Sequence, residues 1–242
     1  MDTIETIAGK LPSAVAPSPP PPARARGIWE LVVRFGGGAW FLLLAFVYAR
    51  MSAEAVIQLQ AGGAHALQWP EMLSRACVFV FCLTLSWLMF VRPPARARAA
   101  GLLPGVIAFV ATYSPWVLAF LPRGQLSPTI AVVSATLSLA GSVLLVYSVL
   151  FLGRSFSIVP QARGLVTGGP YAIVRHPLYL AEEIAIAGLF LQFASVSVLP
   201  LFVIHVGLQV WRTYYEEAVL RGFFPEYAGY ARRTFRLIPG LW

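Results

Sequence analysis

The chain has 242 residues, 58% of them apolar and 12% charged, with mean hydropathy +0.73 and a formal net charge of +8. Apolar runs of about 20 residues, the length that crosses a hydrocarbon layer about 30 Å thick, recur along it and exclude an ordinary soluble domain. No basic stripe with interleaved aromatics is expected to form a solvent-exposed face, which argues against nucleic-acid binding. They lie between apolar runs, where they encode membrane orientation.

In chain order, residues 1–26 are polar and proline-rich and end in "PPPPARAR". They read as a disordered tail. With no apolar core following an early basic start, they do not read as a cleavable signal peptide. Residues 27–152 read as N-terminal membrane helices, with spans near 28–49, 73–91, 102–121 and 128–152. Glu30 stands four residues before Arg34, the favourable order for an ion pair along a helix. Gly36, Gly37 and Gly38 are a candidate close-packing face. Cys77 and Cys82, five apart, fall on different helix faces and lack metal-ligand spacing, so they read as small buried hydrophobes and no metal site is expected. The rest, 153–242, opens with a polar loop and continues into an apolar stretch from Leu178 to about Thr213. As one helix that stretch would be about 54 Å long, too long for one crossing. It reads as a hairpin turning at "FASVSVLP", where Pro200 interrupts the helix. The expected fold class is therefore all-α: a polytopic membrane protein of about five to six membrane helices ending in a helix-turn-helix hairpin. Charge asymmetry places the N-terminus, the 92–98 connector, the 153–177 loop and the C-terminal tail together on the cytoplasmic side, leaving Arg50, Arg75 and Arg123 opposite.

The loop "RSFSIVPQARGLVTGGPYAIVRHPLY" is stiffened by Pro170 and Pro177, each of which fixes φ and removes a donor. Taken alone, His176 suits a structural hydrogen bond as well as a ligand contact, and Tyr171 and Tyr179 suit the aromatic belt of a membrane interface. Glu182 and Glu183 lie one turn inside the apolar stretch. A charge there costs about 2.5–3.5 kcal/mol on insertion scales and marks a functional site by default. Snorkelling to the interface or pairing with Arg175 would relieve that cost. Further on, Arg212 and Glu216 are four apart, the spacing of a helical salt bridge, and Glu217 lies about 140° further round. Phe224, Tyr227 and Tyr230 recur every third residue as an aromatic face, and "RLIPGLW" reads as an amphipathic end lying on the membrane.

No dinucleotide fingerprint, P-loop, zinc spacing or serine elbow occurs in the chain. What does occur is "LVTGGPYAIVRHPLYL", an apolar hairpin, and then "WRTYYEEAVLRGFFPEYAGYARRTFRLIPG". This combination, over roughly residues 153–240, resembles the isoprenylcysteine carboxyl methyltransferase family, which groups with the phospholipid methyltransferases. The resemblance implies S-adenosyl-L-methionine as methyl donor, bound in a cytosol-facing pocket closed by loop and tail, with a lipidic acceptor arriving from the bilayer. By the same resemblance, Gln161, Arg163, Leu165, Val166, Tyr171, His176, Leu178, Tyr179 and Glu217 would line the cofactor. Arg212 and Glu217 would be the catalytic pair, and Arg212 and Glu183 would face the acceptor. Glu182 and Glu183 depart from the small or apolar residues the family pattern has there. The implied reaction is O-methylation of an isoprenylcysteine-like carboxylate, with N-methylation of a phospholipid headgroup amine as the alternative. An NADPH-dependent sterol or enone reductase is the alternative of another class. No protein partner is expected.

Overall fold

Apolar runs in a bilayer must satisfy every backbone polar group internally, which a helix does. The computed structural model, which describes residues 17–18, 23–61, 68–121, 126–193 and 198–240, is accordingly built of helices. They are α1 (Ala23–Gln60), α2 (Gln68–Val91), α3 (Leu103–Tyr113), α4 (Pro128–Leu152), α5 (Pro177–Leu191), α6 (Leu199–Phe223) and the short α7 (Tyr227–Ala231). Proline opens α3, α4, α5 and α6, where its missing N–H costs nothing. Ser127 also caps α4, its Oγ accepting from the Ile130 amide at 3.4 Å.

Among the described residues, three segments are long and apolar enough to cross a membrane: Glu30–Gln60, Met72–Val91 and Pro128–Ser155. This is fewer than the five to six expected. The span read at 102–121 stops as α3 at Tyr113 and continues as a 3₁₀ turn over Ser114–Phe120, because Pro115 cannot donate back into the helix. The 178–213 stretch divides into α5 and α6 as expected, but α5 is only about 22 Å long, short of a full crossing. The tail residues 1–16 and 19–22, Arg123, the hairpin turn at 194–197 and the final 241–242 lie outside the described residues. Helix α1 begins at Ala23, four residues before the expected edge of the tail.

Helix α4 packs on α5 and α2, α1 on α2, and α3 on α6. A core of Phe41, Leu85, Met89, Leu145, Val149, Leu178 and Ala181 fills the α1–α2–α4–α5 junction. Small residues set the closest approaches. A Cβ on Gly188 would sit 2.6 Å from the Ser138 amide nitrogen, and Ser134 Oγ donates to the Gly188 carbonyl at 2.8 Å. Within the glycine triplet of α1, Gly37 and Gly38 receive the Met89 and Phe90 side chains, whereas Gly36 meets nothing.

One feature lies outside the all-α expectation. A small antiparallel sheet, in order β1-β2-β3, joins Pro17–Ser18, Ala97–Ala99 and Gln161–Ala162. Its registers are Ser18 opposite Arg98 and Arg98 opposite Gln161. It gathers tail, connector and loop at one end of the bundle, the relative placement that the charge asymmetry predicts. At the same end, Val174 of the loop bridges Phe235 of the tail.

Candidate functional site

Gly169 sets the loop's turn. Its φ of +60° is costly for other residues, and a side chain there would collide with the Phe151 ring. Pro170 then starts a 3₁₀ turn over Gly169–Ala172, and Pro177 starts α5, so Arg175 and His176 are presented between two fixed points. The tail clasps this segment by its backbone. Arg175 N donates to Phe235 O at 2.8 Å, His176 N to Arg236 O at 3.1 Å, and Phe235 N to Ile173 O at 3.1 Å. The Tyr230 hydroxyl adds a bond to Tyr171 O at 2.7 Å. Burial pushes the Tyr230 phenol up to about 12, which keeps it a donor.

Loop, tail and α6 meet at Glu217, which is 3% exposed. Its Oε1 accepts from Arg175 Nε at 2.8 Å and from Arg236 Nε at 2.9 Å, and stands 3.3 Å from His176 Nε2. Its Oε2 accepts from Arg236 Nη2 at 3.1 Å. Burial works to raise its pKa, but the hydrogen bonds and charges of His176 and Arg236 outweigh that and leave it well below the usual carboxylate range. Glu216, next along, takes the Tyr179 hydroxyl at 2.5 Å and lies 3.9 Å from His176 Nδ1. The rings of His176 and Tyr179 stack with centroids 5.4 Å apart, and the Arg212 guanidinium lies 4.5 Å over the Tyr179 ring.

From Arg212 a polar file runs into the apolar zone. Arg212 donates to Ile158 O at 2.7 Å, Thr112 Oγ1 at 3.2 Å and Gln209 Oε1 at 3.4 Å. Gln209 Nε2 donates to Glu182 at 2.7 Å. Deeper, Glu183 lies 3.1 Å from His205 Nε2, and His205 Nδ1 lies 2.9 Å from Ser114 Oγ. The Gln209 carboxamide thus holds Glu182, whereas Glu183 stands within ion-pair distance of the His205 imidazole with neither of its oxygens hydrogen-bonded.

Of the residues singled out from sequence, Tyr171, His176, Tyr179, Arg212 and Glu217 form one constellation. Leu178 lies in the α1–α2–α4–α5 core, and Leu165 packs beside Ala162 and Tyr227. Val166 is half-buried in the loop. Gln161 and Arg163 point elsewhere: Arg163 Nη2 bonds Gln161 Oε1 at 2.8 Å and Glu30 at 3.3 Å. Three expected pairings are replaced. Arg175 binds Glu217 rather than Glu182 or Glu183, because the tail draws the loop over α6. Arg212 turns to Ile158 and Gln209 rather than Glu216. Glu30 faces Arg163 and Arg92 across the helices, while Arg34 donates to Arg92 O. Reading the sequence assigned Glu216 to Arg212 rather than to Tyr179, and missed Arg236, Gln209 and His205 as partners. Buried polar residues on an apolar helix were the available signal for the last two. Nothing local marks Arg236. Among the described residues, no group of three or more His, Cys, Asp or Glu stands together so as to hold a metal ion.

Known proteins resemble this chain in part. The cobalt-zinc-cadmium resistance protein CzcN of Cupriavidus metallidurans is 41% identical over 80 residues, covering 32% of this chain and 36% of that protein. The nickel-cobalt-cadmium resistance protein NccN of Alcaligenes xylosoxydans xylosoxydans is 29% identical over 140 residues, covering 56% and 60%. The chain thus spans between about a third and three-fifths of the length of these relatives. Among solved structures, the eukaryotic intramembrane Ras methyltransferase ICMT (isoprenylcysteine carboxyl methyltransferase) aligns over 88% of this chain and 86% of its own, with 16% identity and a TM-score of 0.46. The model of the phospholipid methyltransferase family matches residues 128–227, starting earlier than the motif-bearing region and covering α4, the loop and both arms of the hairpin. The methyltransferase resemblance carried by the loop and hairpin motifs is thus matched by the phospholipid methyltransferase family model over residues 128–227.

Proposed function

We propose that this chain is an integral-membrane methyltransferase that uses S-adenosyl-L-methionine and acts on a lipidic acceptor. The observation that carries the reading is the closure of loop and tail over Glu217 at the end of α5 and α6. The residues present suit such a donor. Tyr171 Oη and Arg212 Nε are buried without a hydrogen-bond partner, and the stacked His176–Tyr179 pair offers a flat aromatic wall. When bound, the donor supplies a methyl group already activated on a sulfonium. The chain then has to position two reactants and keep water out.

Tyr171, His176, Leu178, Tyr179 and Glu217 hold the cofactor in this reading, with Leu165 and Val166 on the flank. Glu217 keeps loop and tail in place through its arginines, and Glu216, with 28% of its side chain exposed, has acceptor capacity left for the donor's hydroxyl or amino groups. Gln161 and Arg163 are left out of the set, because their polar ends are committed to each other and to Glu30. Arg212 takes the acceptor side. Its unpartnered Nε is a donor suited to a carboxylate, which is ionised at neutral pH and needs no base, so O-methylation of an isoprenylcysteine-like carboxylate is the first reading. The buried Glu182 and Glu183 favour a second one. They suit a cationic phospholipid headgroup amine, and a carboxylate there would accept the proton that N-methylation releases.

Membranes containing the protein, supplied with radiolabelled methyl donor, should label a lipid-extractable product, and His176→Ala should lose at least about nine-tenths of that labelling. Alkali releases methanol from an ester and leaves an N-methyl group intact, so the treated product distinguishes the two acceptors. No labelled lipid from a wild-type protein of verified fold would overturn the proposal.

A further inference from the structure

At the same end of the bundle, outside the loop–tail clasp, three arginines from three elements converge: Arg34 on α1, Arg92 just past α2 and Arg163 just past β3. Arg92 and Arg163 are 2% and 4% exposed. One carboxylate stands among them, Glu30, at 3.3 Å from Arg163 Nη2 and 3.8 Å from Arg92 Nη2. Other donors go to carbonyls: Arg34 Nη2 to Arg92 O at 2.8 Å, and Arg163 Nη1 to Pro93 O. Arg92 Nη1 has only the Met89 sulfur, a weak acceptor, at 3.1 Å. Four buried guanidinium nitrogens have no hydrogen-bond partner: Arg34 Nε, Arg92 Nε, Arg92 Nη2 and Arg163 Nε.

Structural ion pairing alone does not account for this. Three positive charges face one glutamate and the C-terminal end of α2, which carries about half a negative charge, so roughly one and a half positive charges stay uncompensated in a buried place. Buried charges without partners are costly, and buried donors in native proteins are normally paired. Burial, and then the charge of Arg163, pull the Arg92 guanidinium down to about 10. A carboxylate is planar with two oxygens and cannot reach forks arriving from three directions. A tetrahedral oxyanion presents oxygens to all three, and arginine forks are suited to it.

We propose that Arg34, Arg92 and Arg163 form a binding site for a phosphate group, with the Glu30 carboxylate standing in the anion's place until the anion arrives. Glu30 is the member open on one side, with 19% of its side chain exposed, so exchange takes place there. The cluster lies at the ends of the α1 and α2 spans, the depth at which lipid phosphates sit, so an anionic lipid headgroup and free phosphate share the chemistry. The site is separate from methyl transfer and does not depend on that reading.

The test uses the full chain purified in a neutral maltoside detergent, with inorganic phosphate and dioctanoyl phosphatidic acid as separate probes. Unfolding temperature and native mass spectrometry give the readouts. At least one probe should raise the unfolding temperature and add one bound molecule. Glu30→Gln, which removes the competing carboxylate, should bind about tenfold tighter or better, and Arg92→Gln should bind about tenfold weaker or worse. A response to the lipid alone assigns the phosphate to the bilayer, and a response to inorganic phosphate assigns it to a soluble source as well. Should Arg92→Gln fail to fold, Arg34→Gln provides the same measurement. Indifference of the wild type to both probes, with Glu30→Gln merely less stable, would overturn the proposal.

Discussion

Glu217 shows how much of this molecule rests on single side chains. It is ionised and buried because Arg175, His176 and Arg236 surround it. Replacing it by glutamine strands two arginines, and breaking a buried pair in this way costs about 3–5 kcal/mol. The pH dependence has a definite sign. The folded-state pKa is depressed, so the contribution of Glu217 to stability is fully present above the ordinary glutamate value, about 4.3, and fades as pH falls below that toward the folded value. The stability gap between wild type and Glu217→Gln, measured by thermal unfolding in detergent, should be wide at neutral pH and narrow once the pH falls below the ordinary value. A gap that stays constant down to about pH 3 would contradict the assignment. Reading the sequence placed Glu217 correctly on a face away from Arg212, because helical spacing is local information. It could not supply Arg175 and Arg236 as partners, since 42 and 19 residues separate them from Glu217 and only the folded chain brings them in.

Between helices, the α4–α5 contact brings backbones together in a way that sequence spacing alone did not announce. Ser134, Ser138 and Gly141 of α4 face Ala185 and Gly188 of α5, and the Ser134 hydroxyl bonds the Gly188 carbonyl. In an apolar surround, small residues let backbones meet where larger ones would hold them apart. A methyl on Gly188 would come within 2.7 Å of Ser134 O, which is backbone and has nowhere to retreat. Gly188→Ala should therefore destabilise the protein by about 1–3 kcal/mol, the usual cost of overpacking, against a helix-propensity gain of about 1 kcal/mol. Gly36→Ala, with open space around it, should gain that propensity and lose nothing. Circular-dichroism melts of both variants test the contrast, and equal melts would remove the steric account. The spans α1, α2 and α4 were legible because long apolar runs leave no other conformation in lipid. The stretch 102–121 is helical from 103 to 120, but apolar content says nothing about Pro115 switching the backbone to a 3₁₀ turn.

For the whole molecule, the sheet and the tail clasp impose a constraint that no single helix does. Ser18, Arg98 and Gln161 are in register, and Phe235 bridges Val174, so four separate segments share one end of the bundle. Composition made that gathering visible in outline, since arginines concentrate in the same segments, while strands of two or three residues carry too little pattern to be seen in advance. If the gathering holds in a membrane, single cysteines introduced at Thr167 and Arg233, in a background with Cys77 and Cys82 replaced by alanine, must react with a membrane-impermeant maleimide from the same side. Thr167 is exposed in the loop, and Arg233 is exposed in the tail after α7, so both are accessible to the reagent and neither belongs to the clasp on Glu217. A cysteine in place of Arg50, toward the far end of α1 and exposed, serves as the control and must label from the opposite side. By the positive-inside rule the shared side is expected to be the cytoplasmic one, so Thr167 and Arg233 should label in inverted vesicles and Arg50 in intact spheroplasts. Labelling of Thr167 and Arg233 from opposite faces would separate the loop from the tail, and Glu217 would then have no enclosure to organise.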